Sequence, residues 1–153
     1  MNMELLRPAR VEDFEELNRI ARQVCALHAS WGNGIVVDYP YPMDYYSECI
    51  QEEKLFVAEL DHRIVGYIFF YFWTAGGPAA AIRKMVSIDD FGVDEALRNQ
   101  GIGKRMMQDL CALAREKGCA AVNLYVDAPN ENAIAFYEKF GFHIRNHGMT
   151  LKL

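Results

Sequence analysis

Apolar residues recur along the chain with two different rhythms. From Val11 to Ala29, Phe14, Leu17, Ile20, Ala21, Val24 and Leu27 fall at the three- and four-residue steps of one helical face, with His28 beside them. Glu12, Asp13, Glu15 and Glu16 crowd the first turn, where the helix dipole favours negative charge, so a helix is predicted there. The stretch from Trp31 to Pro42 holds Gly32, Asn33, Gly34, Pro40 and Pro42, and reads as a loop leading into a second helix over Met43 to Glu52. A third helix is predicted over Gly101 to Lys117, with Ile102, Met106, Leu110, Leu113 and Ala114 on one face and Gly118 as its stop. Asn130 is placed to cap a fourth that runs to Phe140 and ends at Gly141.

The other rhythm is that of strands. Met3 to Leu6, Leu55 to Leu60, Ile64 to Trp73, Arg83 to Val93 and Ala120 to Val126 read as strands, followed by two short ones, Phe142 to Arg145 and Met149 to Leu153. Asp61-His62-Arg63 makes a hairpin connection, and Gly76-Gly77-Pro78 turns the chain. Ile64 to Trp73 is apolar on both faces, which suits a central strand covered on both sides. The order β, α, α, three β, α, β, α, β, β predicts an α/β (α+β) fold with one central sheet, as a single domain over residues 1–153.

Composition narrows the function classes. Of 153 residues, 16 are Lys or Arg and 21 are Asp or Glu, a net charge of −5 that disfavours a broad nucleic-acid surface. With 52% hydrophobic residues, a chain of this length supports a core without metal or disulfide staples. Cys25, Cys49, Cys111 and Cys119 form no C-x-x-C and read as reduced thiols. His143 and His147 have a ligand-like spacing but no second ligand pair, so no metal site is expected. No signal-peptide pattern opens the chain, and Ile64 to Trp73 is too short to span a bilayer, so a cytoplasmic location without membrane attachment is expected.

The chemistry concentrates between Ile88 and Arg105, where a strand runs into a glycine-bearing loop that opens a helix. Backbone N–H groups converge at such a helix start, and Arg98 to Arg105 holds three basic residues and no acidic one, which describes an anion site. A P-loop, G-x-x-x-x-G-K-S/T, fails because Arg98 stands at the first glycine and Arg105 follows the lysine. The dinucleotide pattern fails because Met106 stands at its third small position. What remains is Arg-x-x-Gly-x-Gly. Arg98 to Gly103 resembles the pyrophosphate loop of the GCN5-related N-acetyltransferase superfamily. Asn130 to Phe142 is similar to that superfamily's second signature, N-x-x-A-x-x-F-Y-E-K-x-G-F, and Leu6-Arg7-Pro8-Ala9 with Asp13 is similar to its opening. Asn99 departs from the glycine usual there, but Asn tolerates left-handed backbone angles.

The resemblance implies a mixed, mostly antiparallel sheet flanked by about four helices, with a splayed strand pair that holds acetyl-CoA. Its pyrophosphate would lie on Arg98, Asn99, Gln100, Gly101, Ile102, Gly103 and Lys104. Its pantetheine arm would pair with Phe91, Gly92 and Val93, where Gly92 offers no side chain to obstruct it. Asn130, Ala133, Phe136, Tyr137 and Lys139 would add contacts. The thioester carbonyl would rest near the Val93 N–H, and Tyr137 would protonate the departing thiolate or else simply pack in the core. The acceptor, a small-molecule amine, a peptide N-terminus or a lysine, would attack directly in a ternary complex, in a groove walled by the first two helices and their connection, which carries Trp31, Tyr39, Tyr41, Tyr45 and Tyr46. Asp89 and Asp90 are candidate bases. Strand alternation sends their side chains to opposite faces, and proton removal, cation binding and loop orientation all stay open for them. A noncatalytic acyl-CoA-binding module is the alternative reading. Apolar excess in Ile64 to Trp73 and Ala79 to Ile82, with the habit of the superfamily, points to a possible homodimer.

Overall fold

The run that is apolar on both faces becomes the middle of the sheet. The computed structural model describes residues 5–32, 39–151 and 153. It places that run in β3 (Arg63–Gly77), between β2 (Leu55–Leu60) and β4 (Ala80–Val93), with β1 (Leu6–Pro8) and β5 (Ala121–Leu124) outermost. Pairing is antiparallel from β1 to β4, and β4 pairs parallel with β5. A parallel neighbour requires a crossover, which α3 (Ile102–Glu116) supplies. The remaining helices are α1 (Phe14–Ser30), α2 (Met43–Gln51) and α4 (Glu131–Phe140).

Alternation along β3 divides the core between two layers. Ile68 and Phe70 pack with Met106, Met107 and Leu110 of α3. Tyr67 and Phe69 pack with Leu17, Ile20 and Ala21 of α1 and Tyr46 and Cys49 of α2. Burying each large apolar side chain contributes about 1.5–3 kcal/mol, so these two layers carry the fold. They also absorb most of the apolar excess in Ile64 to Trp73, and Tyr71, Trp73 and Ile82 remain exposed.

Polar anchors hold the sheet's first edge. Buried Asp109 of α3 accepts the Leu5 and Leu6 N–H groups on one oxygen, at 2.8 and 2.9 Å. Arg7 grips Asp13 with two hydrogen bonds of 2.8 and 2.9 Å and also bonds Glu59. Burial works against the Asp13 charge, but the Arg7 guanidinium and the Arg10 N–H outweigh it and hold the carboxyl below its usual range.

The structure revises several sequence-based boundaries. Met3 lies outside the described residues, as do Asn33 and Gly34 of the loop before α2, and β1 runs on through Pro8, which an edge strand tolerates. Val11–Asp13 forms a 3-10 turn, and α1 begins at Phe14. The β3–β4 hairpin is longer than predicted and closes over Pro78 and Ala79, with Gly77 paired to Ala80. The strand expected to be buried at Ala120 to Val126 is shorter and half-buried at best, because no described strand lies beyond it. Neither Phe142 to Arg145 nor the described part of Met149 to Leu153 forms a strand. Ile144, Met149 and Leu151 are 63%, 96% and 83% exposed, so no described neighbour buries their alternating side chains.

Asp109→Ala leaves two buried N–H groups without their acceptor and should cost about 2–4 kcal/mol in chemical denaturation. Asp109→Asn keeps an acceptor oxygen and should cost clearly less. Equal losses from the two variants would show that the carboxylate charge, which both remove, rather than an acceptor oxygen at that place, fastens β1.

Candidate active site

One extra residue in β4 sets the geometry of the site. Phe69 pairs with Asp90 and Phe70 with Ile88, so Asp89 is a bulge. The parallel pairing with β5 also stops there, because β5 ends at Leu124 opposite Ile88 while β4 runs on to Val93, which leaves a gap on that side of β4 among the described strands. The bulge resets the alternation and overturns the expectation that the two aspartates face opposite sides. Asp90 meets Tyr41 and Tyr67, and Asp89 lines a cavity with Tyr45 and Cys49 of α2, so both carboxylates face the α1 and α2 layer.

Asp90 is the best-held group of the site. One oxygen accepts the Tyr67 hydroxyl at 2.8 Å and the Tyr41 hydroxyl, and the other accepts the Phe91 N–H at 2.8 Å. Burial raises its pKa above the usual carboxylate value, although the two phenols and the N–H oppose that rise. Both phenols are pushed up in turn, first by burial and then by the Asp90 charge. Tyr41 reaches this point because Asn18 of α1 clamps its backbone, accepting its N–H at 3.0 Å and donating to its C=O at 3.2 Å. Its ring stacks on Phe69 at 4.2 Å.

The cleft side of β4 presents free backbone. Asp94 donates its N–H to Val65, so by the alternation of an antiparallel ladder Gly92 bonds towards β3, while Phe91 and Val93 turn their N–H groups and carbonyls away from it. The Phe91 N–H is used by Asp90, and the Val93 carbonyl accepts Arg98 Nε at 3.2 Å. That leaves the Val93 N–H and the Phe91 carbonyl facing the gap. Gly92 is required for a reason other than an unobstructed cleft: a Cβ there would lie 2.6 Å from the Tyr67 ring. The glycine makes room for the tyrosine that holds Asp90.

Below the gap, Asn99 and Gly101 adopt left-handed angles, φ 61° and 82°, and turn the chain into α3. Among the described residues no side chain caps this helix, and no acidic residue occupies its first turn, so the N–H groups at its start are open to an anion. A Cβ on Gly103 would point at the rings of Phe91 and Phe136, which stack with centroids 6.0 Å apart. Asn130 caps α4 by accepting the Ala133 N–H at 3.2 Å. Tyr137 packs against Phe136 and Phe142. Burial, then the nearby Asp90 charge, pushes its hydroxyl up to about 12. Lys104 and Lys139 are exposed, the latter in the last turn of α4.

The five aromatic residues expected to wall one groove are spread along α1 and α2: Tyr45 stacks with Tyr41 and Phe69, while Tyr46 is buried in the core against Phe14. Tyr41 is in the site, Tyr39 stacks on Phe14 near the start of α1 at 5.6 Å, and Trp31 lies against His28 at its end. His28 Nδ1 stands 3.6 Å from Asp127, on the β5 side of the gap. Sequence reasoning missed Tyr67 and Asn18. The one signal for Tyr67 was a hydroxyl in the middle of an apolar strand.

Comparisons with known proteins agree with this fold. The sequence model of the Acetyltransferase (GNAT) family matches residues 15–142. Glucosamine 6-phosphate N-acetyltransferase of Trypanosoma brucei brucei is 36% identical over 103 residues, 65% of this chain and 65% of that protein. An uncharacterized N-acetyltransferase of Bacillus subtilis, YdgE, is 37% identical over 46% of this chain and 45% of its own length. The chain thus spans less than two thirds of each of these curated relatives. Among solved structures, a mutant of the BH1408 protein from Bacillus halodurans superposes with a TM-score of 0.90 at 26% identity, covering 97% of this chain and 99% of that one.

The Asp90 environment makes a test by pH. A carboxyl whose folded-state pKa is raised ionises more easily in the unfolded chain, so stability is lost as pH rises through the folded value. The melting temperature of the unmodified protein should therefore fall relative to Asp90→Asn as pH rises above the usual carboxylate range. A constant difference through that rise would show that the carboxyl is not strained by burial.

Proposed function

The chain belongs to the Acetyltransferase (GNAT) family, and from that premise we propose that it transfers an acetyl group from acetyl-CoA to a primary amine by direct attack in a ternary complex. The observation that carries this reading is the convergence of a buried carboxyl, Asp90, and a protonated phenol, Tyr137, on an interior strand edge that leads to an uncapped helix start.

The residues fit the cofactor on two counts. The open amides from Asn99 to Gly103, flanked by Arg98 and Lys104, suit a pyrophosphate, and the free Val93 N–H and Phe91 carbonyl suit an amide-bearing arm lying along β4. When bound, acetyl-CoA supplies the activated acetyl thioester. The Val93 N–H would orient and polarise its carbonyl. Phe136 walls the gap, while Asn130 holds the start of α4 and so the approach of Tyr137. Tyr137, protonated at neutral pH, would supply the proton that the leaving thiol needs. Asp90 takes the amine's proton, with Tyr41 able to accept it while passing its own to the carboxylate. Burial assists by making Asp90 a stronger base than an exposed aspartate.

Release of the free thiol from acetyl-CoA, followed across a panel of amines, tests the activity directly. No amine-dependent release, with coenzyme A still bound, would leave a binding module. Tyr137→Phe keeps the ring, so turnover should fall by ~10²–10⁴ while cofactor affinity stays nearly intact. Unchanged turnover under conditions where chemistry is rate-limiting would return Tyr137 to packing. Gly103→Val should weaken coenzyme A binding at least ~10-fold in calorimetry, because a branched side chain would crowd the Phe91 and Phe136 wall beside the loop. Unaltered affinity would sink the assignment of this loop.

A further inference from the structure

The bulge makes two carboxylates on one face, and the fold uses only one of them. Asp90 is saturated by two phenols and an N–H. Asp89 has no hydrogen bond or ion pair among the described residues, and it stands at a cavity of about 130 Å³ lined by Tyr45, Cys49, Lys54, Phe69, Phe70 and Tyr71. Tyr45 and Tyr71 are 43% and 41% exposed there, so ring surface is available to a ligand. Lys54 is the cation within the cavity lining, but Glu52 already pairs with its ammonium group. A negative charge beside exposed tyrosine rings attracts an ammonium group by charge and by the ring faces together. The same charge repels a carboxylate. The cavity adjoins Asp90 through the peptide bond that links the two aspartates and through Phe69, against which Tyr41 and Tyr45 both stack.

We infer that this cavity is a subsite for a second ammonium group of the acceptor, so that the preferred substrate class is a small diamine or polyamine. One amine would react beside Asp90 while the other lies between Asp89 and the rings of Tyr45 and Tyr71. The inference rests on the acetyltransferase reading for the first amine only. The second contact is a binding event that can be measured without turnover. Asp89 then serves as an anchor for substrate rather than as the base.

The test is calorimetric titration of the coenzyme A-loaded protein with diamines from ethylenediamine to cadaverine, each paired with the monoamine of equal length, and with γ-aminobutyrate. The best diamine should bind roughly tenfold more tightly than its monoamine, the combined scale of an exposed ion pair and a cation–ring contact. Asp89→Asn should close that gap and Asp89→Glu should keep most of it, with thermal melts confirming that both variants are folded. The subsite is overturned if no diamine outbinds its monoamine, if the gap survives in Asp89→Asn, or if γ-aminobutyrate binds best. Failure of the two readings can be told apart. Diamine selectivity lost in Asp89→Asn, with no amine acetylated, supports the subsite and removes the acetyltransferase. Acetylation of monoamines and diamines alike, with equal affinities, does the reverse.

Discussion

A single surplus residue in β4 is the constraint on which the site depends. Without Asp89, the ladder between β3 and β4 would run unbroken and only one aspartate would face α1 and α2. The bulge brings Asp90 opposite Phe69, within reach of Tyr41 and Tyr67, and it falls one residue past the last pairing of β4 with β5. Bulges bend the strand and increase its twist, so the same insertion that aims the carboxyl also turns the stretch of β4 that lacks a β5 neighbour.

The cluster around Asp90 is held from three elements at once. Tyr67 comes from the central strand, Tyr41 arrives on the approach to α2 under the grip of Asn18, and Gly92 yields the space that the Tyr67 ring fills. Arg19 fixes the end of β4 to α1 through Asp94 at 2.7 Å, and Gln23 adds a second contact to the same carboxylate. Keeping a charged or chargeable group so enclosed works against stability, as the upward displacement of Asp90 indicates. Such a cost is commonly retained where it tunes a proton acceptor.

Much of this was legible in the chain, where the signal is local. The loop from Arg98 to Gly103, the cap at Asn130 and the two-faced apolar run of β3 depend on residues close in sequence, and each has the structure expected of it. The orientation of Asp89 and Asp90 was not legible. Alternation within β4 predicts opposite faces, and the extra residue is visible only in register against β3. Tyr67 was read as packing because burial and hydrogen bonding to a distant carboxylate leave the same trace in a sequence, an aromatic residue in an apolar run. The last two predicted strands had the right alternation but no described partner strand, and alternation alone does not bury a side chain.

Where β5 stops, the protein without its ligand keeps an unfinished edge. Beyond Ile88, β4 runs on with the Phe91 carbonyl and the Val93 N–H lacking a strand partner among the described residues. Free edges are templates on which other chains add as strands, and proteins ordinarily blunt them with charge, proline or a covering element. Here the covering is partial: the aromatic wall of α4 on one side and the contact between His28 and Asp127 across the mouth. A ligand lying along β4 would complete the hydrogen bonding of that edge as a missing strand would. The liganded protein would then offer one template fewer for strand addition, so a ligand in the cleft would lower self-association as well as fill the site.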